Sequence, residues 1–184
     1  GLPAGIEFTP TDFVQVNGEL NRLMVARALE LLERRASDRA LDLFCGLGNF
    51  SLPLARQVTV VTAVEGDAAL VRRAEANAAR NGIGNVRFHV ANLAVEELRP
   101  AWAEERYDLV LLDPPRAGAR EVLPLAAGSR PRRIVYVSCH AGTFARDAGI
   151  LVQQLGYRLV AAGIMDMFPH TSHVESIALF EPSA

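Results

Sequence analysis

No lysine occurs in the 184 residues; all nineteen basic side chains are arginine. Any phosphate contact the chain makes is therefore a planar, permanently charged guanidinium fork rather than an ammonium point charge. Cysteine is nearly absent too. Two cysteines in a chain of this length make no disulfide framework and cannot supply the four ligands of an iron–sulfur cluster. No run of eighteen uninterrupted apolar residues is present, so no membrane-spanning helix is expected. Positive charge is not in excess: 21 acidic residues against 19 basic ones give a net charge of −2. That excludes a domain whose affinity for nucleic acid comes from a whole-surface positive field. The opening "GLPAGIEFTPTDF" has neither the basic start nor the apolar stretch of a secretory signal. A reducing, cytoplasmic location is expected, and the opening reads as a start inside a larger protein.

Half of the residues are hydrophobic, enough for one full core, and a single domain over 1–184 is expected, with 1–36 as a leading segment and helix packed on it. In "NGELNRLMVARALELLERR" the residues Leu20, Leu23, Met24, Ala28, Leu31 and Leu32 have the spacing of one helix face. Strand and helix patterns then alternate. "RALDLF" is followed by a helix start at "GNFSLPLARQ", "VTVVTAVE" by "DAALVRRAEANAARNG", and "VRFHV" by a helical stretch around "AVEELRPAWAEE". "YDLVLLD" is followed by a helix from Arg120, and "RIVYVSC" by "GTFARDAGILVQQLG". Two strand candidates, "YRLVAAGIMDM" and "HVESIALFE", close the chain with only "FPHTS" between them. The pattern predicts an α/β, Rossmann-like, mostly parallel sheet covered by helices. The closing pair is too tightly linked for a crossover, so one of its members is antiparallel.

Such a sheet binds ligands at the carboxyl ends of its strands. At the first end, in "LDLFCGLGNFSLPLA", Gly46 and Gly48 permit a tight turn and close approach to a ligand, but the third glycine of the dinucleotide fingerprint is missing. A glycine pair alone is as often a plain tight turn. Glu65 ends the second strand about twenty residues on, where a carboxylate accepts hydrogen bonds from both hydroxyls of a ribose. Asn92 follows the third strand and suits an adenine edge. Together these fit S-adenosylmethionine, whose sulfonium needs no pyrophosphate-binding helix. At the fourth end, "LLDPPRAG" sets Asp113 on a backbone stiffened by two prolines. Methyltransferases acting on amino groups also use an acidic-Pro-Pro loop, but with an aromatic residue where this chain has Arg116. Arg130, Arg132 and Arg133 read as a local basic patch or, more simply, as a solvated loop around Pro131.

The fifth end, "VSCHAGT", carries Cys139. Carbon 5 of uracil is a poor nucleophile, and methylating it requires prior addition of a thiolate at carbon 6. A thiol facing a helix N-terminus is expected to have a lowered pKa. The carbon 5 proton must then leave to a base. "SHVESIALF" sets Glu175 among apolar neighbours, where desolvation raises a carboxyl pKa toward neutrality. Taken singly, Cys139 reads more readily as a small core residue and Glu175 as an exposed one; their joint presence with Asp113 changes that weighing.

The segments "FTPTDFVQVNGELNRLMV", "LDLFCGLGNFSLPLA", "VEGD", "NAARNGIGNVRF", "LLDPPRAGA", "VYVSC" and "DMFPHTSHVESIALF" together resemble the RNA 5-methyluridine methyltransferases, most closely the bacterial 23S ribosomal RNA branch. The resemblance covers nearly the whole chain. It implies a catalytic domain with a seven-stranded sheet, S-adenosylmethionine as cofactor and a uridine in RNA as substrate. Gln15, Phe44, Asn49, Glu65, Asn92 and Asp113 would bind the cofactor or lie beside it. Cys139 would be the nucleophile and Glu175 the base, while Phe13, Gln15 and Asp113 would meet a flipped uracil. Members of the ribosomal branch carry an RNA-binding barrel and often an iron–sulfur segment, neither of which is in these residues. The family usually has Asn-Pro after the cysteine; here it is His140-Ala141, with His140 read as a neutral helix-start residue. Cys45 is read as packing, and His170 and His173 lack the spacing of a metal site. The remaining alternatives are the transfer-RNA branch, an amino-group methyltransferase and a non-catalytic cofactor-binding scaffold.

Overall fold

Aliphatic residues dominate the central strands, and the chain folds accordingly in a computed structural model that describes residues 18–95, 100–165 and 174–183. In chain order the elements are α1 (Gly18–Leu32), β1 (Arg39–Leu43), α2 (Ser51–Ala55), β2 (Val60–Glu65), α3 (Ala68–Arg80), β3 (Val86–Val90), β4 (Leu109–Leu112), α4 (Leu123–Gly128), β5 (Arg133–Ser138), α5 (Ala141–Gln153), β6 (Tyr157–Met165) and β7 (Glu175–Pro182). A single turn of 3₁₀ helix, Ala101–Glu104, precedes β4.

The seven strands form one sheet in the order β3-β2-β1-β4-β5-β7-β6. β1 to β5 are mutually parallel. β7 is antiparallel to both β5 and β6, between which it is inserted. The expected lone antiparallel strand is therefore β7. The central strands β1, β2, β4 and β5 are buried almost throughout, as helices on both faces require. Alternate residues feed two cores. Leu109 and Leu111 join Met24, Ala28, Leu32 and Leu54 on the α1 and α2 side; Val110 and Leu112 join Trp102, Leu123 and Leu151 on the other.

Some sequence expectations shift. In α1, Leu29 is buried with Met24, Ala28, Leu31 and Leu32, while Leu23 is 56% exposed. At 100° per residue Leu23 lies about 140° around the axis from Ala28, off the face that meets the sheet. The helix expected from Arg120 starts only at Leu123, with Pro124 in its first turn, a position that proline's fixed φ favours. Of the helical stretch around "AVEELRPAWAEE", residues 96–99 lie outside the described residues, and the described part holds a single 3₁₀ turn.

The arginine cluster is neither a patch nor a solvated loop. α1 has no basic residue in its last turn, and its terminal carbonyls are bound by arginines from β5 and the residue before it. Arg133 Nη1 donates to Leu31 O at 2.6 Å; Arg132 donates to Leu32 O, Glu33 O and the carboxylate of Asp38 at 3.3, 2.8 and 2.5 Å. Arg130 lies over the Tyr157 ring at 5.7 Å. The guanidiniums of Arg132 and Arg133 close a helix C-terminus whose carbonyls have no partner within the helix. Arg132→Met leaves the buried Asp38 carboxylate with the Arg35 amide but without its cationic partner and should lower stability by about 2–3 kcal/mol in urea unfolding, the scale of a charged hydrogen bond.

Candidate functional site

Five parallel strands end at one edge, the edge at which sheets of this kind bind ligands. After β1 the backbone leaves the sheet through Phe44 at φ 65°, Gly46 at 53° and Gly48 at 91°. A bulky residue in the left-handed region is costly, so Phe44 marks a turn held by its surroundings. Gly46 has open space where a side chain would stand, and its amide donates to Glu65 Oε2 at 3.1 Å. Glu65, closing β2, also accepts from the amides of Gly66 and Asp67 at 2.7 and 3.1 Å. The turn after β1 and the end of β2 are thus one unit. Asn49 forms a reciprocal amide pair with Asn21 of α1, at 2.9 and 3.0 Å. Beyond β3, exposed Asn92 accepts from the Ala94 amide at 3.0 Å.

Asp113 extends the ladder past β4, its amide donating to Leu43 O at 3.3 Å. Cys139 stands one residue beyond the Ser138–Ser176 pair that ends the β5–β7 register. Antiparallel pairing therefore sets it opposite Glu175, the first residue of β7. Glu175 is only 6% exposed. Phe13 and Gln15, together with His170 and His173, lie outside the described residues. Among the described residues no group of His, Cys, Asp and Glu is arranged to hold a metal.

The electrostatics of this edge are unusual. Asp113 is pushed up to about 7 by desolvation, then by the negative charges of Glu175 and Asp42. Asp42, fully buried in β1, is likewise raised to about 7, chiefly by burial, against the lowering effect of the hydrogen bond it accepts from the Ser51 hydroxyl. Among the described residues its Oδ1 has no hydrogen-bond partner. Sequence reasoning missed Asp42, although an acid inside the apolar strand "LDLF" was the signal. The expected lowering of the Cys139 pKa is corrected: desolvation, Glu175 and Asp113 raise it, and Arg116 opposes them only in part. Partial burial and two nearby carboxylates outweigh the backbone hydrogen bond and the Arg116 charge that lower it. Cys45 is 4% exposed within the core, with its thiol held well above the ordinary value by burial, which agrees with a packing role.

Comparison with known proteins gives this arrangement a family. The sequence pattern described as tRNA (Uracil-5-)-methyltransferase matches residues 6–182. The chain belongs to that family. It is 57% identical over 176 residues to the 23S rRNA (uracil(1939)-C(5))-methyltransferase RlmD of Xanthomonas campestris pv. campestris, covering 96% of this chain and 40% of that one. The protein of the same name from Stenotrophomonas maltophilia strain R551-3 is 58% identical over the same shares. The chain thus spans about two fifths of the length of the curated relatives it matches. Among solved structures, Pyrococcus abyssi tRNA (uracil-54, C5)-methyltransferase in complex with S-adenosyl-L-homocysteine superposes with a TM-score of 0.79 at 33% identity, covering 94% of this chain and 41% of that one. A putative RNA methyltransferase from Pyrococcus horikoshii, at 16% identity and a TM-score of 0.72, covers 97% of this chain and 94% of its own and shares the fold.

Within the family fold, His140 acts as the cap of α5. It has extended backbone geometry, and its Nδ1 accepts from the Thr143 amide at 3.3 Å. The Ser138 hydroxyl accepts from His140 N and donates to His140 O, at 3.1 and 3.2 Å, bracing the turn that holds Cys139. An asparagine oxygen accepts the same amide. His140→Asn should therefore keep stability within about 0.5 kcal/mol, whereas His140→Ala should lose roughly 1 kcal/mol, measured by thermal unfolding.

The raised carboxyls also set a pH dependence. Asp42 and Asp113 hold their protons more tightly when folded than at the ordinary 3.8. Their contribution to stability is fully present below that value and is lost as the pH rises through about 7. Urea unfolding of the ligand-free chain between about pH 4 and pH 8 should show that loss, and Asp42→Asn should flatten it.

Proposed function

We propose that this chain is the catalytic domain of an enzyme that transfers a methyl group from S-adenosylmethionine to carbon 5 of a uridine in 23S ribosomal RNA. The observation that carries the reading is the meeting of Cys139, Glu175 and Asp113 at one sheet edge. The relatives at 57–58% identity named for 23S rRNA support the ribosomal substrate over transfer RNA.

The residues present fit the cofactor. Glu65 is held in place by three backbone amides with its carboxylate at the mouth of the glycine turn, suited to a ribose diol. The concentrated carboxylates of Asp42, Asp113 and Glu175 suit a cationic ligand. When bound, S-adenosylmethionine supplies an electrophilic methyl group. Phe44, Gly46, Gly48, Asn49, Asn92 and Gln15 complete the proposed cofactor site, while Phe13, Gln15 and Asp113 would hold the flipped uracil.

Cys139, once ionised, adds through Sγ to carbon 6 of uracil, and the carbon 5–carbon 6 π pair moves into an enolate. Carbon 5 is then nucleophilic enough to accept the methyl group. Glu175 takes the proton left on carbon 5, and collapse of the resulting enolate expels the Cys139 thiolate. A buried carboxylate opposite the nucleophile, screened from water by the core beneath it, is suited to that removal. Arg116, exposed beside the site, favours the thiolate.

On RNA carrying 5-fluorouracil, elimination is blocked because fluorine cannot leave as a proton does. A stable methylated adduct should form on a denaturing gel, be lost in Cys139→Ala and persist in Cys45→Ala. On ordinary RNA, Glu175→Gln should accumulate the methylated adduct. Absence of any adduct from the unaltered protein would overturn the covalent route.

A further inference from the structure

Asp147 is a buried carboxylate with no part in the chemistry of methyl transfer. It lies in the second turn of α5 and is 0% exposed. Its Oδ2 accepts from the hydroxyl of Tyr136 at 2.6 Å and from the amide of Ala119 at 2.7 Å; its Oδ1 accepts from Arg146 Nε at 2.8 Å. Tyr136 sits in β5 three residues before Cys139. Ala119 lies within the loop that runs from Asp113 to the start of α4. The single carboxylate therefore joins the nucleophile's strand, the helix behind it and the Asp113 loop.

Neighbouring contacts repeat the same connection. Arg146 Nη2, paired with Asp147 Oδ1 at 2.8 Å, donates to Ala117 O at 2.8 Å. Thr143 in the first turn of α5 donates through Oγ1 to Arg116 O at 3.0 Å. Gly118, at φ +85°, passes so close that a side chain there would lie 2.5 Å from both Asp147 Oδ2 and Arg146 Nη2. The backbone from Arg116 to Ala119 is thus fastened to α5 at Arg116, Ala117 and Ala119, and glycine alone permits that approach.

We infer that Asp147 is a positioning residue, fixing the Asp113 loop against the strand and helix that carry Cys139; this rests on the reaction proposed for the site. A carboxylate taken from water is costly, and well-packed apolar side chains hold helix to strand at least as firmly. What the carboxylate adds is direction: two donors from different segments converge on one oxygen, so two hydrogen bonds fix their spacing. In a reaction that needs Cys139 and Asp113 on one base, displacement by about 1 Å costs on the order of a hundredfold in rate.

The test uses the complete gene product. Asp147→Asn keeps the volume but replaces one acceptor oxygen with an amino group, so Arg146 on one side and Tyr136 with Ala119 on the other are no longer all satisfied. At saturating cofactor and 5-fluorouracil RNA, adduct formation should slow by roughly tenfold or more, with the half-saturating cofactor concentration changed by less than about twofold. Hydrogen exchange at the Ala119 amide should accelerate. Gly118→Ala, which disturbs the same contact from the loop side, should reproduce both effects, and Arg146→Gln a smaller part of them. If Asp147→Asn melts below the assay temperature, the other two variants carry the comparison. Rates that fall only in step with the unfolded fraction, or variants that form adduct and protect Ala119 as the parent does, overturn the inference alone. A parent protein that forms no adduct overturns the proposed reaction and this inference together.

Discussion

The site depends on one topological constraint, the insertion of β7 between β5 and β6 in the opposite direction. A parallel strand would deliver its last residue to the edge where β1 to β5 end; an antiparallel strand delivers its first. Glu175 is that first residue, and the register Ser138–Ser176 leaves it facing Cys139. A slip by one residue would turn the whole strand over and send Glu175 away from Cys139. The burial of Ile177 and Leu179 in one core and of Ala178 and Phe180 in the other holds that register, so the apolar packing of β7 and the placing of the carboxylate are one fact.

A second consequence of ending five strands together is the concentration of acid. Asp42, Glu65, Asp113 and Glu175 come from different strands, and their charges oppose ionisation of the groups beside them. The edge consequently resists losing protons, including that of Cys139. A protein that needed the thiolate at all times would be poorly served. One that needs it only in the presence of a cation is served well, since the same carboxylates attract the positive ligand whose charge offsets them.

The rest of the chain turns this edge into a rigid one. Glu65 ties the glycine turn to β2, the Asn21–Asn49 pair ties that turn to α1, and Asp147 ties the loop after β4 to β5 and α5. The arginines at the start of β5 close the end of α1. Charged side chains here bind backbone groups left unpaired at the ends of elements, which is why nineteen arginines produce no basic face at Arg130–Arg133.

The strands, their mostly parallel arrangement and the positions of Glu65, Asp113, Cys139 and Glu175 at strand ends were legible in the sequence, because strand period, chain connectivity and the residues just past each strand are local properties. Limits of α1 and α4 were less so: the period of "NRLMVARALELL" admits Leu23 on the core face, and only contact with β5 and β7 turned the helix to bury Leu29 instead. The direction of the Cys139 pKa escaped the sequence for the same kind of reason. A helix start is visible in "SCHAGT", whereas the opposing field comes from Asp113 and Glu175, far apart in the chain. Asp147 and Asp42 read as ordinary acids within a helix and a strand; that one gathers three segments and the other keeps an oxygen without a partner among the described residues is a matter of through-space distance. Sequence by itself determined which chemical groups stand at the ends of the strands. Tertiary structure decided which of them share a field and which hold the others still, because electrostatic and hydrogen-bond energies depend on separations that folding alone creates.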